Sequence, residues 1–142
     1  MLFGGYTADG YSNEVFLIDL VSNLWAKPVV TGKLPPGMDG FSMNLVHRNV
    51  WVYGGYENTG PSAALYVLDM GSMHWSQATF TGLVPNPRSG HSAVLHGDNL
   101  IVVGGCDYRT NTCFDQTMLL DVTMLAWTVL PNPEPSWMTA RA

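Results

Sequence analysis

Short apolar runs bounded by glycine, proline, asparagine or aspartate recur along the chain. Leu100–Val103 is continuous and mostly β-branched, the pattern of a strand covered on both faces. Ahead of it, Gly90–His96 is mostly small or apolar and closes on Gly97-Asp98-Asn99, a hairpin turn sequence. A long loop then leads to a third strand at Thr117–Asp121, and a short turn to a fourth at Ala126–Leu130. Pro131-Asn132-Pro133 cannot continue a ladder and leads out of the sheet. The same reading fits Phe41–Val46, Val50–Tyr53, Ala64–Asp69 and Trp75–Phe80.

The recurrence has a fixed period. Glycine pairs stand at Gly4-Gly5, Gly54-Gly55 and Gly104-Gly105, fifty residues apart each time. Laying residues 4–53 over 54–103 without a gap matches sixteen positions, where average residue usage gives about three by chance. Asp19/Asp69, Trp25/Trp75, Thr31-Gly32/Thr81-Gly82 and Ser42/Ser92 are among the matches. Asp121 and Trp127 keep the same separation but arrive two residues late, so the third copy carries an insertion between Gly105 and Asp121.

Four up-and-down strands per copy are the pattern of a propeller blade, and the period is that of kelch repeats. The chain resembles kelch repeats over nearly its whole length. The resemblance is carried by the three Gly-Gly pairs, by Asp19/Trp25, Asp69/Trp75 and Asp121/Trp127, and by Pro87-Arg88-Ser89-Gly90-His91-Ser92 before a strand. It departs from the family where Ile18, Leu68 and Leu120 replace the usual Tyr before Asp, and where Met38-Asp39-Gly40-Phe41-Ser42 stands for the Arg-Ser-Gly-His-Ser run.

The resemblance implies an all-β fold of about three consecutive four-stranded blades. The first, over 1–30, lacks its innermost strand; the second covers 38–80, the third 88–130, and 131–142 leads toward a next blade. Three blades cannot close a ring, for which about four to eight are needed. The chain therefore reads as an excerpt of a six- or seven-bladed propeller, its remaining blades supplied by a longer chain or by a second copy. Trp25, Trp75 and Trp127 should be buried between blades with their N–H groups on backbone partners. Each repeated Asp should accept backbone N–H bonds in its turn.

Composition narrows the function. Charged residues make up only 12% of the chain and the net charge is −5, so a nucleic-acid partner is not expected. Glycine and proline break every apolar stretch before a membrane span accumulates, so no membrane partner is expected either. No cationic segment followed by an apolar one opens the chain, and no Asn-x-Ser/Thr acceptor occurs, which points to the cytoplasm. Cys106 and Cys113 lie together in the inserted loop. They read as free thiols, with a loop disulfide as the extracellular alternative. His47, His74, His91 and His96 sit at or beside strand ends without metal-ligand spacing; His91 belongs to the repeat pattern and reads as a structural, hydrogen-bonded residue. No nucleophile elbow, phosphate loop or metalloprotease helix motif is present. Catalysis, cofactor and metal are therefore not expected.

A recognition surface is the better-supported reading. In kelch propellers the loops after the second strand project from one face, together with the lead-in to each first strand. Here those loops run over 6–13, 56–63 and 106–116 and carry Tyr6, Tyr11, Tyr56, Asn58, Tyr108 and Arg109, and Tyr and Arg are the usual interface anchors. Arg88 and Ser89 match positions that kelch domains often use to hold acidic peptide groups. The resemblance thus implies a protein or peptide partner, an acidic one if Arg88 and Arg109 do the holding. A competing reading has Arg88 bonded to a neighbouring blade's loop carbonyls as part of the scaffold. Outside this class stand an enzyme or specifier protein whose reactive groups lie beyond this chain, and a structural subunit of a large assembly.

Overall fold

In the computed structural model, which describes residues 1–131, every regular element is a strand. The second blade is the antiparallel series Ser42–Val46, Asn49–Tyr53, Leu65–Asp69 and His74–Ala78. The third is Ser89–His96, Asn99–Asp107, Thr117–Asp121 and Ala126–Leu130. The first has three strands, Leu2–Phe3, Val15–Ile18 and Trp25–Ala26. The lead toward a further blade expected over 131–142 lies, from residue 132 onward, outside the described residues.

The continuous apolar run of the second blade has a simple cause: this blade is covered on both faces. Along Asn49–Tyr53 the two-residue alternation sends Val50 and Val52 into the core shared with the first blade. Trp51 and Tyr53 go to the core shared with the third. Leu65 and Leu68 divide in the same way, into the third-blade and first-blade cores. Neighbouring blades are thus held by apolar burial, which is strong and needs no particular angle between partners.

Trp75 and Trp127 lie at the centres of these two cores, each 1% exposed. The Trp75 ring packs 5.2 Å from Phe3, and Trp127 packs 5.1 Å from Tyr53 and edge-on to Phe80. Trp25 departs from expectation, being 59% exposed. The ring belongs to the outer strand of its blade; the equivalent Trp75 is covered by Phe3 and Val15 of the preceding blade, and no blade precedes Trp25 among the described residues. The indole N–H groups depart too: those of Trp75 and Trp127 meet no acceptor among the described residues, because the rings lie against other rings rather than against carbonyl edges.

The turn chemistry follows expectation in all three copies. Asp19 Oδ1 accepts from the N–H groups of Val21 and Ser22, Asp69 from Gly71 and Ser72, and Asp121 from Thr123 and Met124. For Asp19 and Asp69 these bonds hold the carboxyl below its ordinary pKa.

The repeated Thr-Gly pair proves to be a strap between blades. Thr31–Gly32 pairs in parallel with His74 and Trp75, and Thr81–Gly82 with Ala126 and Trp127. Each connection therefore crosses the outer edge of the following blade before reaching its inner strand, and that edge is no longer open. Only glycine fits there. Gly82 has φ +86°, and a Cβ would stand 2.3 Å from the Trp127 carbonyl oxygen.

Candidate functional site

The loops after the second strands are ordered hairpins rather than irregular segments. Tyr6–Thr7 pairs with Gly10–Tyr11, and Tyr56–Glu57 pairs with Gly60–Pro61 and also with Met38–Asp39. In the third blade the second strand runs through Gly104-Gly105 to Asp107 and pairs with Thr112–Cys113, past the end expected at Val103. The glycine pairs make these exits possible. Gly54 and Gly55 have φ of +67° and +99°, and the Gly55 N–H donates to the Arg88 carbonyl, as the Gly5 N–H does to Met38. The first two hairpins are thereby pinned to the lead-ins of the blades that follow them.

That pinning brings three hairpins and two lead-ins around one depression of about 420 Å³, lined by Tyr11, Asp39, Gly40, Tyr56, Ser89, Gly90 and Tyr108. Tyr11 sits edge-on to Tyr6 at 4.9 Å and 6.3 Å from Tyr56. Tyr6 and Tyr108 are 69% and 59% exposed. Burial and the nearby Asp39 carboxylate push the Tyr11 hydroxyl above its ordinary pKa, so it stays protonated as a donor.

The whole chain, residues 1–142, matches the family model described as the KLHDC2/KLHL20/DRC7 Kelch-repeats domain. The chain belongs to the kelch-repeat family. Among curated proteins, none matches it. Kelch-repeat domains are in general protein-interaction modules, and in this kelch chain the loop hairpins carry the exposed Tyr6 and Tyr108 and the partly exposed Tyr11 and Tyr56.

Of the residues singled out from the sequence, Tyr56, Ser89 and Tyr108 meet at the depression. Tyr6 borders it through Tyr11. Asn58 lies exposed in the turn of its hairpin, away from the lining. Arg109 crosses to the neighbouring hairpin beside Gly60 and pairs with Asp107 at 3.7 Å.

Arg88 is elsewhere. It is 1% exposed, donates to the carbonyls of Asn86 and Gly104 at 3.2 and 2.9 Å, and lies 4.4 Å over the Phe114 ring. Its counterpart one period earlier, Met38, is fully buried. The position is a core position under the loops, and in the third blade it is filled by a guanidinium held on carbonyls of its own lead-in and its own blade, not of a neighbouring blade. Burial lowers its pKa without removing its charge.

His91, next to it, is also internal. Its Nε2 lies 2.9 Å from Ser42 Oγ of the second blade, and its ring stands edge-on to Tyr53. Burial and the adjacent Arg88 lower its pKa to about 4, so the ring is neutral at pH 7. Burial likewise raises the Tyr53 hydroxyl.

Two features were not legible as site residues in the sequence. Tyr11 was one of several loop tyrosines, and only the hairpin geometry turns it into the depression. Asp39 stands one period before Ser89, and that alignment alone could have drawn attention to it. The cysteines correct an expectation outright. Cys106 and Cys113 form a disulfide; they face each other across the hairpin's antiparallel pair, a placement hidden while this segment was read as loop.

Proposed function

We propose that the chain is a protein-interaction module, without catalysis of its own, that presents the tyrosine-lined loop face to a peptide or partner domain. The observation that carries this reading is the convergence of Tyr11, Tyr56 and Tyr108, one from each blade, on a single open depression. Tyrosine offers a large contact area with few rotamers to freeze and a hydroxyl for hydrogen bonding. The buried groups with strongly altered proton affinity, Tyr53 and His91, support the same reading, because they pack between the second and third blades rather than lining the depression.

Selection of phage-displayed random peptides on the full chain tests it. Selected peptides should bind Tyr56→Ala and Tyr108→Ala at least about tenfold more weakly, the loss of interface anchors, and should bind Arg48→Ala unchanged. Arg48 pairs with Asp69 at the hairpin turns on the opposite side. Peptides that ignore both tyrosine changes and lose binding to Arg48→Ala would overturn the loop-face reading.

A further inference from the structure

We propose that the depression where the three hairpins meet receives a basic side chain, arginine or lysine, of the partner. This rests on the interaction reading above and names the chemistry that partner must present. The sequence suggested the opposite sign, through Arg88. With Arg88 inside the blade, its N–H groups on the Asn86 and Gly104 carbonyls, the charge that remains at the depression is Asp39.

Asp39 is half-buried in the wall and forms no ion pair among the described residues. Its backbone is fixed by pairing with Tyr56, which sets Asp39 in the same wall as Tyr11, Tyr56 and Tyr108. Tyrosine rings with a carboxylate beside them favour a cation over an anion or a neutral group, since ring faces and carboxylate are both electron-rich. The surrounding loops add to this field. Over 6–13, 56–63 and 106–116 the charges are Asp9, Glu57, Asp107 and Asp115 against Arg109 alone, and Arg109 is engaged with Asp107. Such a rim concentrates basic ligands near the opening.

A second, independent feature lies at the same place. Ser89 lines the depression and is 2% exposed, yet its Oγ has no hydrogen-bond partner among the described residues. Buried hydroxyls without partners are uncommon. A guanidinium or ammonium carries several N–H donors and can serve Asp39 and Ser89 together. A divalent metal is a poor fit, because one carboxylate and one hydroxyl fall well short of the six or more oxygens that calcium takes.

The test is an NMR titration of the full chain with acetylated, amidated Gly-Ser-X-Ser-Gly peptides, X being arginine, lysine, glutamine or glutamate. The arginine or lysine peptide should bind at least tenfold more tightly than the glutamine one, the glutamate peptide most weakly, and shifts should centre on Tyr11, Tyr56 and Ser89. Comparing arginine with lysine distinguishes a guanidinium from an ammonium site. Asp39→Asn should abolish the preference for the basic peptides while binding of the glutamine peptide persists. Should Asp39→Asn disturb folding, Tyr108→Ala, at an exposed ring, should weaken the basic peptides at least fivefold.

Equal or tighter binding of the glutamate peptide at the same residues overturns the basic-ligand proposal and leaves the loop-face reading standing. Persistence of the basic preference in Asp39→Asn also overturns it, as does the absence of any shift with the basic peptides at millimolar concentration. Shifts centred instead around Arg48 and Asp69 overturn both readings.

Discussion

Acidification should destabilise this protein through His91. The ring is 8% exposed, bonded to Ser42 of the neighbouring blade, and its pKa is lowered from 6.5 to about 4 by burial and by the nearby Arg88 charge. Above the unfolded value the imidazole is neutral in both states, and its contribution is fully present. As pH falls from 6.5 toward 4, the unfolded chain takes up a proton that the folded chain refuses, so stability drains away across that window. The shift amounts to about 3 kcal/mol when complete, and to about 2 kcal/mol near pH 5. Against a typical domain stability of about 5–15 kcal/mol, that is a readily measured loss. Asp19 and Asp69 titrate below the ordinary carboxyl range, under this window. The assay is urea unfolding at neutral pH and near pH 5, followed by tryptophan fluorescence, on the native chain and on His91→Phe. Phenylalanine is the residue at the matching position of the second blade, Phe41, so it suits the site while removing the titration. The native midpoint should fall on acidification and the variant's should barely move. A variant that keeps the full acid dependence would refute the assignment to His91.

Two further outcomes follow from the packing. Trp127→Ala should cost about 3–5 kcal/mol, the range for emptying a large aromatic from a core, whereas Trp25→Ala, at an exposed ring, should stay within about 1 kcal/mol; equal losses in chemical unfolding would contradict the placement of Trp25. Arg88→Ala should lower stability by about 1–3 kcal/mol by stranding the Asn86 and Gly104 carbonyls, and Arg88→Met, copying Met38, should recover part of it with peptide binding intact. An Arg88→Ala chain that melts like the native one but loses its ligand would instead place Arg88 in the binding contact.

Much of the architecture is written locally. Within each fifty-residue copy, the Gly-Gly exits and the Asp turns depend on residues within a few positions of one another, and each appears in the structure with the geometry its chemistry requires. The strands were legible too, since the second blade, covered on both faces, must be apolar at successive positions. The sequence also placed a tyrosine in every loop.

Which of these residues face a ligand was decided only by how the blades stack. Trp25 carries the same pattern as Trp75 and Trp127 yet lies exposed, because its cover comes from another blade and not from its own. Arg88 carries a binding motif yet is buried, because its side chain turns under its own blade's loop, onto the Gly104 carbonyl and the Phe114 ring. Cys106 meets Cys113 only once the loop folds into a hairpin. Asp39 becomes the charge of the depression only when the Tyr56 hairpin pairs beside it. Strand pattern and turn chemistry act over a few residues, whereas burial, pairing and the sign of a pocket depend on partners that only the folded hairpins and packed blades bring together.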